Sequence, residues 1–269
     1  MEIFFFILLG IIIYAFVGYL FLLIILSTII PRKVSKNERD DIYVSIIIAA
    51  YNEENVISAK ITNMLQLDYP AEKIEIIVAS DGSTDRTDEI VRSFADRGVF
   101  LYRIEGRKGK TEAQNQAVRI AKGDIIIFSD ANALYRSDAI RKIVQNFNDE
   151  CVGGVCGNLN YSKSDSHKEN GESVYWKYEN YLKQKESSLS SVLGANGSIY
   201  AIRKNLYVPL PPYLISDFVE PLKIVEQCYR VVYEKDAISR EDISSVSSFL
   251  LGLVSNFTNV RWNKLLVNF

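Results

Sequence analysis

Histidine is nearly absent: His167 is the one histidine in 269 residues. A multi-histidine zinc site is thereby excluded, and a Ser-His-Asp or Cys-His group would have to use this residue. It sits in the polar run Ser162 to Glu172 and reads as a solvated loop residue. Cysteine is scarce too. Cys151, Cys156 and Cys228 are odd in number and show no CxxC spacing. That pattern speaks against a disulfide framework and points to a reduced, cytosolic body with buried thiols. An excess of positive charge is also missing, because 31 basic residues face 33 acidic ones for a net charge of -2. No surplus of positive charge is left to neutralise a phosphate backbone, so no nucleic-acid partner is expected.

What is present is a globular balance, 48% apolar and 24% charged, enough for one domain or at most two. From Ile3 to Ile30 no charged residue occurs. A helix over 3–30 would be about 42 Å long at ~1.5 Å per residue, more than a ~30 Å hydrocarbon core. A signal peptide is disfavoured by the Met1-Glu2 start and by the lack of a clear cleavage site. The stretch is expected to be a retained transmembrane helix. Arg32, Lys33, Lys36 and Arg39 follow it, a basic juxtamembrane linker over 31–43. The positive-inside rule then places the rest of the chain on the cytoplasmic side of a cell membrane, as a single-pass protein with the lipid bilayer as partner. Sequons at Asn160, Asn196 and Asn256 are discounted as chance matches.

Beyond the linker, short isoleucine-rich runs alternate with helical stretches. Strands are expected at Val44–Ala50, Ile74–Ala79, Val99–Ile104 and Asp124–Phe128. Helices are expected from Asn52 to Met64, Thr87 to Ala95, Gly109-Lys110 to Gly123, and Asp138 to Asn148. This alternation predicts βα units on a mainly parallel sheet. Ligands of such sheets bind outside the carboxyl ends of the strands. The concentrated polar chemistry lies there: Tyr51-Asn52-Glu53, Asp81-Gly82-Ser83 and Asp130-Ala131-Asn132. After Glu150 the pattern weakens, with helices expected over Glu169–Glu186 and Phe218–Gln227, a short strand before Arg203 and another at Arg230–Glu234.

Asp130 and Asn132 offer two oxygens one residue apart past a strand end. That suits a hard divalent cation, although a lone D-x-N is more often a cap or an Asx-turn. Asp81 has the same bland reading, Lys110 that of a solvated cation, Tyr51 that of a loop aromatic, and Asp217 that of a helix cap.

Several segments occur in order: Val44 to Glu54, Ile76 to Asp85, Gly109-Lys110 with Asn115, Ser129 to Asn132, Asn196 to Arg203, and Ile215 to Phe218 with Tyr229 to Glu234. Together they resemble the family 2 glycosyltransferases of GT-A fold, in the branch of membrane-anchored polysaccharide synthases. The likeness implies a GT-A domain over 44–237 with a mainly parallel mixed sheet, preceded by one transmembrane helix and followed by a divergent tail over 238–269. It implies that Ala50, Tyr51 and Glu53 lie along a nucleotide base and that Asp81 holds the uracil or ribose end. Lys110 would lie near the nucleotide. Asp130 and Asn132 would bind the diphosphate and its Mg²⁺ or Mn²⁺, and Asp217 would be the general base. The implied reaction is inverting transfer from a UDP-sugar to a saccharide or lipid-linked acceptor.

The likeness has departures. Ala49 stands for a usual proline, Asn132 for a second aspartate, Ser216 for an acidic residue and Cys228 for a glycine. Arg261-Trp262 occurs with Thr258 where the synthase motif has glutamine, so the chain reads as a shortened member. Two other readings stay open on the sequence: an inactive nucleotide-sugar-binding protein or fragment that partners other synthase subunits, and a nucleotidyltransferase.

Overall fold

The computed structural model describes residues 2–14, 18–162 and 171–242. The elements are α1 (Glu2–Ile13), α2 (Tyr19–Ile29), β1 (Val44–Ala50), α3 (Ile57–Met64), β2 (Ile74–Ser80), α4 (Thr87–Arg92), β3 (Val99–Arg103) and α5 (Lys110–Ile120). They continue as β4 (Ile125–Asp130), β5 (Leu134–Tyr135), α6 (Ala139–Val144), β6 (Val152–Ser162), α7 (Gly171–Leu189), β7 (Tyr200–Arg203), α8 (Ser216–Glu226) and β8 (Arg230–Asp242). The strands form one mixed sheet in the order β3-β2-β1-β4-β7-β6-β8-β5. Pairs among β1, β2, β3 and β4 are parallel, as is β6 with β8; β7 runs antiparallel to β4 and β6, and β5 to β8.

The isoleucine runs are buried on both faces because layers cover the sheet on both sides. Ile46 and Ile48 of β1, Val78 of β2 and Ile127 of β4 face the core under α3 and α6. Ile47, Ile77, Ile126 and Phe128 face the second core with Ala113 and Ala117 of α5. Register aligns Ala50 with Ser80 and Ala49 with Asp130, so three loop-bearing strand ends lie side by side.

Several expectations shift. The helix expected from Asn52 begins only at Ile57. Asn52 sits at φ 55°, and the N–H groups of Asn52, Glu53 and Glu54 donate to Ser83 Oγ, Thr87 Oγ1 and Asp85 Oδ2. β6 carries no clear strand signal in the sequence, because Gly153, Gly154 and Gly157 dilute it. The strand expected to end at Glu234 runs on as β8 to Asp242, past the boundary expected at Ala237, because β6 and then β5 pair with it. The buried-thiol expectation holds for Cys156 alone, since Cys151 and Cys228 are exposed in turns. Residues 243–269 of the expected tail, with Thr258, Arg261 and Trp262, and also His167, lie outside the described residues.

α1 and α2 fall within the expected membrane helix, and residues 15–17 between them are not described. Among the described residues, no helix is long and apolar enough to cross a membrane. The following segment is pinned to the domain and is not a free linker. Arg32 N donates to Ser188 O at 2.8 Å, and the Arg230 guanidinium donates to the carbonyls of Arg32, Ser187 and Ser190. Lys36 Nζ meets the buried Glu234 carboxylate at 2.5 Å. Hydrogen bonds from Lys36 and Asn146 outweigh burial and hold the Glu234 pKa below the usual range. A depressed carboxyl stabilises the fold above its unfolded pKa and loses that contribution as pH falls through the folded one. Lys36→Met should therefore cost roughly 1 kcal/mol at pH 7, because the half-exposed ammonium is partly screened. The cost should shrink in acid, read as urea-unfolding free energies at several pH values.

Cys228 occupies the turn before β8 at φ 66°. Only glycine adopts that conformation without a Cβ penalty of about 1–2 kcal/mol, which explains the usual glycine at this position. Cys228→Gly should raise stability by up to about 1 kcal/mol after the entropy of the freer unfolded chain is subtracted. The midpoint of urea unfolding measures this.

Candidate active site

The loops after β1, β2 and β4 enclose a cleft of 720 Å³. Its walls include Ala50, Tyr51, Glu53, Asp81, Lys110, Asp130 and Asn132, so every expected donor and metal residue lines one cavity. Strand register accounts for this, since it brings three distant turns to one edge.

Asp81 is buried, and its two carboxylate oxygens accept the N–H groups of Lys108 and Gly109 at 2.7 and 2.8 Å. One carboxylate thus shapes the loop entering α5. Gly82 lets that loop come close: it has φ 70°, and a Cβ there would lie 2.8 Å from the Gly106 carbonyl carbon. The approach carries Arg107 over the Tyr51 ring, with the guanidinium 4.3 Å from the ring centre. Arg107 also lines the cleft and was missed in the sequence, where a lone arginine in a loop carries no signal. The positive end of α5 opens into the cavity at Gly109 and Lys110.

Lys110 Nζ pairs with Asp130 Oδ1 at 2.5 Å. Burial would lower the Lys110 pKa, but the charges of Asp130 and Asp217 more than compensate and hold it raised. Burial together with the Asp130 and Asp85 charges raises the Glu53 carboxyl. Glu241 of β8, within the expected tail, lies near Asn132, and burial beside Asp130 pushes its pKa up to about 7.

Asp217 is in the first turn of α8, one residue past its start, and does not cap it. Pro221 lies four residues later and has no N–H to give the Asp217 carbonyl. That carbonyl accepts Ala195 N–H instead at 2.9 Å, which ties the helix to the 195–198 loop. The side chain converges on Gly197. A Cβ there would fall inside van der Waals contact of Asp217 Oδ2, 2.9 Å from Lys110 Nζ and 3.2 Å from Asp130 Oδ2. Burial raises the Asp217 pKa and Asp130 adds to it, while Lys110 opposes them.

A divalent cation suits this donor set. Asp130 and Asn132 present hard oxygens, and the Lys110 ammonium already stands in as a cation on Asp130. Among the described residues, no group of three or more His, Cys, Asp or Glu could hold a metal. The remaining ligands would have to come from a bound phosphate and water.

The model of glycosyl transferase family 2 matches residues 45–207. Poly-beta-1,6-N-acetyl-D-glucosamine synthase of Staphylococcus aureus is 26% identical over 215 residues, 75% of this chain and 52% of that protein. The probable glycosyltransferase YdaM of Bacillus subtilis is 37% identical over 120 residues, 42% of this chain and 29% of that one. The chain thus spans about half the length of the synthase or less of the curated relatives it matches. Among solved structures, the Pyrobaculum calidifontis mannosyltransferase PcManGT, in complex with GDP-Man and Mn²⁺, superposes with a TM-score of 0.76 at 25% identity. The match covers 88% of this chain and 68% of that one. S. aureus TarS 1–349 in complex with UDP-GlcNAc shares the fold alone, with a TM-score of 0.57 at 17% identity over 76% of this chain and 59% of that one. The architecture is a GT-A-like α/β fold with a mixed sheet, and the family match spans both the cleft and the segment holding Gly197. The chain belongs to glycosyltransferase family 2.

Proposed function

We propose that this chain is an inverting, metal-dependent transferase that moves a sugar from a nucleoside diphosphate sugar, a UDP-sugar, to a saccharide or lipid-linked acceptor. One observation carries the reading: Asp217 converges at Gly197 with Lys110 and Asp130, two residues that also line the cleft. Ala50, Tyr51 and Glu53 lie along the base, with Asp81 at the uracil or ribose end and Arg107 beside Tyr51. Asp130 and Asn132 would hold Mg²⁺ or Mn²⁺, with the diphosphate beside them. A cation bound there offsets negative charge on the departing diphosphate. Lys110 adds its ammonium beside the same charge, and Asp217 accepts the proton of the attacking hydroxyl. One displacement from the face opposite the leaving group inverts the anomeric centre. The GDP-Man and Mn²⁺ of PcManGT and the UDP-GlcNAc of TarS support a nucleotide-sugar donor.

The same reading places the domain at the cytoplasmic face of a cell membrane. Exposed apolar side chains along α1 and α2, including Phe4, Phe5, Phe21 and Ile29, and the basic residues after Pro31 support that placement.

The test is nucleotide release by the purified full chain in detergent, with UDP-sugars and Mn²⁺. Release of UDP that requires the metal supports the reading. Release of pyrophosphate, or UDP binding without turnover on any saccharide or lipid-linked acceptor, overturns it.

A further inference from the structure

α3 turns Ile57, Lys60, Ile61 and Met64 to the core, the i, i+3, i+4, i+7 stripe of a buried helix face. A lysine thus stands where the pattern calls for an apolar residue. Its side chain is fully buried, with 0% exposure, and among the described residues it forms no ion pair. A lysine in that state is rare, because a charge removed from water without a carboxylate partner is costly.

What it touches is specific. Nζ donates to Ser129 Oγ at 2.6 Å and to the Ala133 carbonyl, and it lies 4.1 Å from the centre of the Tyr135 ring. Ser129 and Ala133 bracket Asp130-Ala131-Asn132, so one ammonium grips both ends of the turn bearing the two candidate metal ligands. Ser129 Oγ passes its own hydrogen to Ser198 O at 3.0 Å, and Tyr135 OH donates to the same carbonyl at 3.0 Å. Ser198 follows Gly197, where Asp217, Lys110 and Asp130 meet. A chain of buried hydrogen bonds therefore runs from α3 through the metal turn to the loop facing Asp217. Burial pulls the Lys60 pKa down to about 7, and either protonation form keeps the two N–H donors these acceptors need.

We propose that Lys60 is a positioning residue: it clamps the Ser129–Ala133 turn, and through Ser129 the Ser198 segment, in the one arrangement that points Asp130 and Asn132 at a shared cation. The proposal rests on the metal-dependent reading above and adds a residue outside the cleft to it.

The substitution that separates a clamp from mere packing is Lys60→Met, which keeps length and bulk but removes the donors. Two measurements on the full chain in detergent decide. Titration calorimetry compares UDP alone with UDP plus Mn²⁺. In Lys60→Met, UDP alone should bind within about twofold of wild type, while the gain in affinity from Mn²⁺ falls at least about tenfold. Amide exchange followed by mass spectrometry should accelerate at least about tenfold over 130–133 and stay unchanged in β1 and β2. Ile61→Val, on the same stripe, should lower the melting temperature and leave the Mn²⁺ gain intact. A wild-type Mn²⁺ gain and wild-type exchange in Lys60→Met overturn the clamp. If wild type itself shows no Mn²⁺ gain, the metal reading fails and the exchange comparison alone decides on Lys60. Should Lys60→Met not fold, Lys60→Gln is measured in the same way, with an intermediate loss expected and none contradicting the proposal.

Discussion

Asp217→Asn should lower kcat for sugar transfer by about 10²–10⁴-fold, the usual contribution of a positioned general base. UDP and UDP-sugar affinity should stay within about twofold of wild type, because Asp217 is not among the residues lining the donor cleft. Asparagine keeps the shape of the side chain and cannot take a proton. The backbone contact from Ala195 N–H to the Asp217 carbonyl is untouched by the change, so the helix start should hold. The pH profile supplies a second readout. A base works in its ionised form, and burial beside Asp130 raises the pKa of this one. The acid limb of kcat/KM should therefore lie above the ordinary aspartate range and vanish in the variant. Turnover that survives the substitution would return Asp217 to an ordinary first-turn residue and remove the mechanism.

Gly197→Ala is expected to cost about 10²-fold in kcat, the scale of an ångström-sized misplacement of reacting groups. The added methyl would collide with Asp217 Oδ2 and press on Lys110 Nζ at 2.9 Å and Asp130 Oδ2 at 3.2 Å. All three charged groups would have to move apart. Gly197 is not among the glycines with positive φ, so alanine brings no backbone penalty and removes some unfolded-state entropy. Stability should stay within about 1 kcal/mol of wild type while activity collapses. Equal losses of both would mark Gly197 as a packing residue. Preserved kcat would show that the convergence at Gly197 has no part in the chemistry.

Much of the donor half was legible in the chain itself. The strand limits at Val44–Ala50, and at Ile74–Ser80 to within one residue of the expected end at Ala79, follow from isoleucine runs buried on both sheet faces. The polar turns behind them follow from where such runs stop. Loop carboxylates were harder to read. Asp81 lines the cleft and also accepts the Lys108 and Gly109 N–H groups, a contact that sequence spacing does not reveal. Arg107 carried no signal at all until the close approach of Gly82 brought its loop over Tyr51. Lys60 carries no signal in its helical stretch, because nothing local distinguishes a buried lysine from a solvated one.

By itself the sequence determined the alternation of strand and helix, the order of the polar turns along one sheet edge, the charge-free amino-terminal stretch and the likeness to family 2. Each of these is a local or periodic property, written in neighbours a few residues apart. Only the tertiary structure decided that β7 returns antiparallel to β4 and so delivers Gly197 to Asp130 from the opposite direction. It alone carried β8 onward past β5 to bring Glu241 against Asn132, and set Lys60 beneath the turn between them. Those placements depend on pairings between strands far apart in the chain, where register and burial choose the partner and no spacing rule along the sequence records the choice.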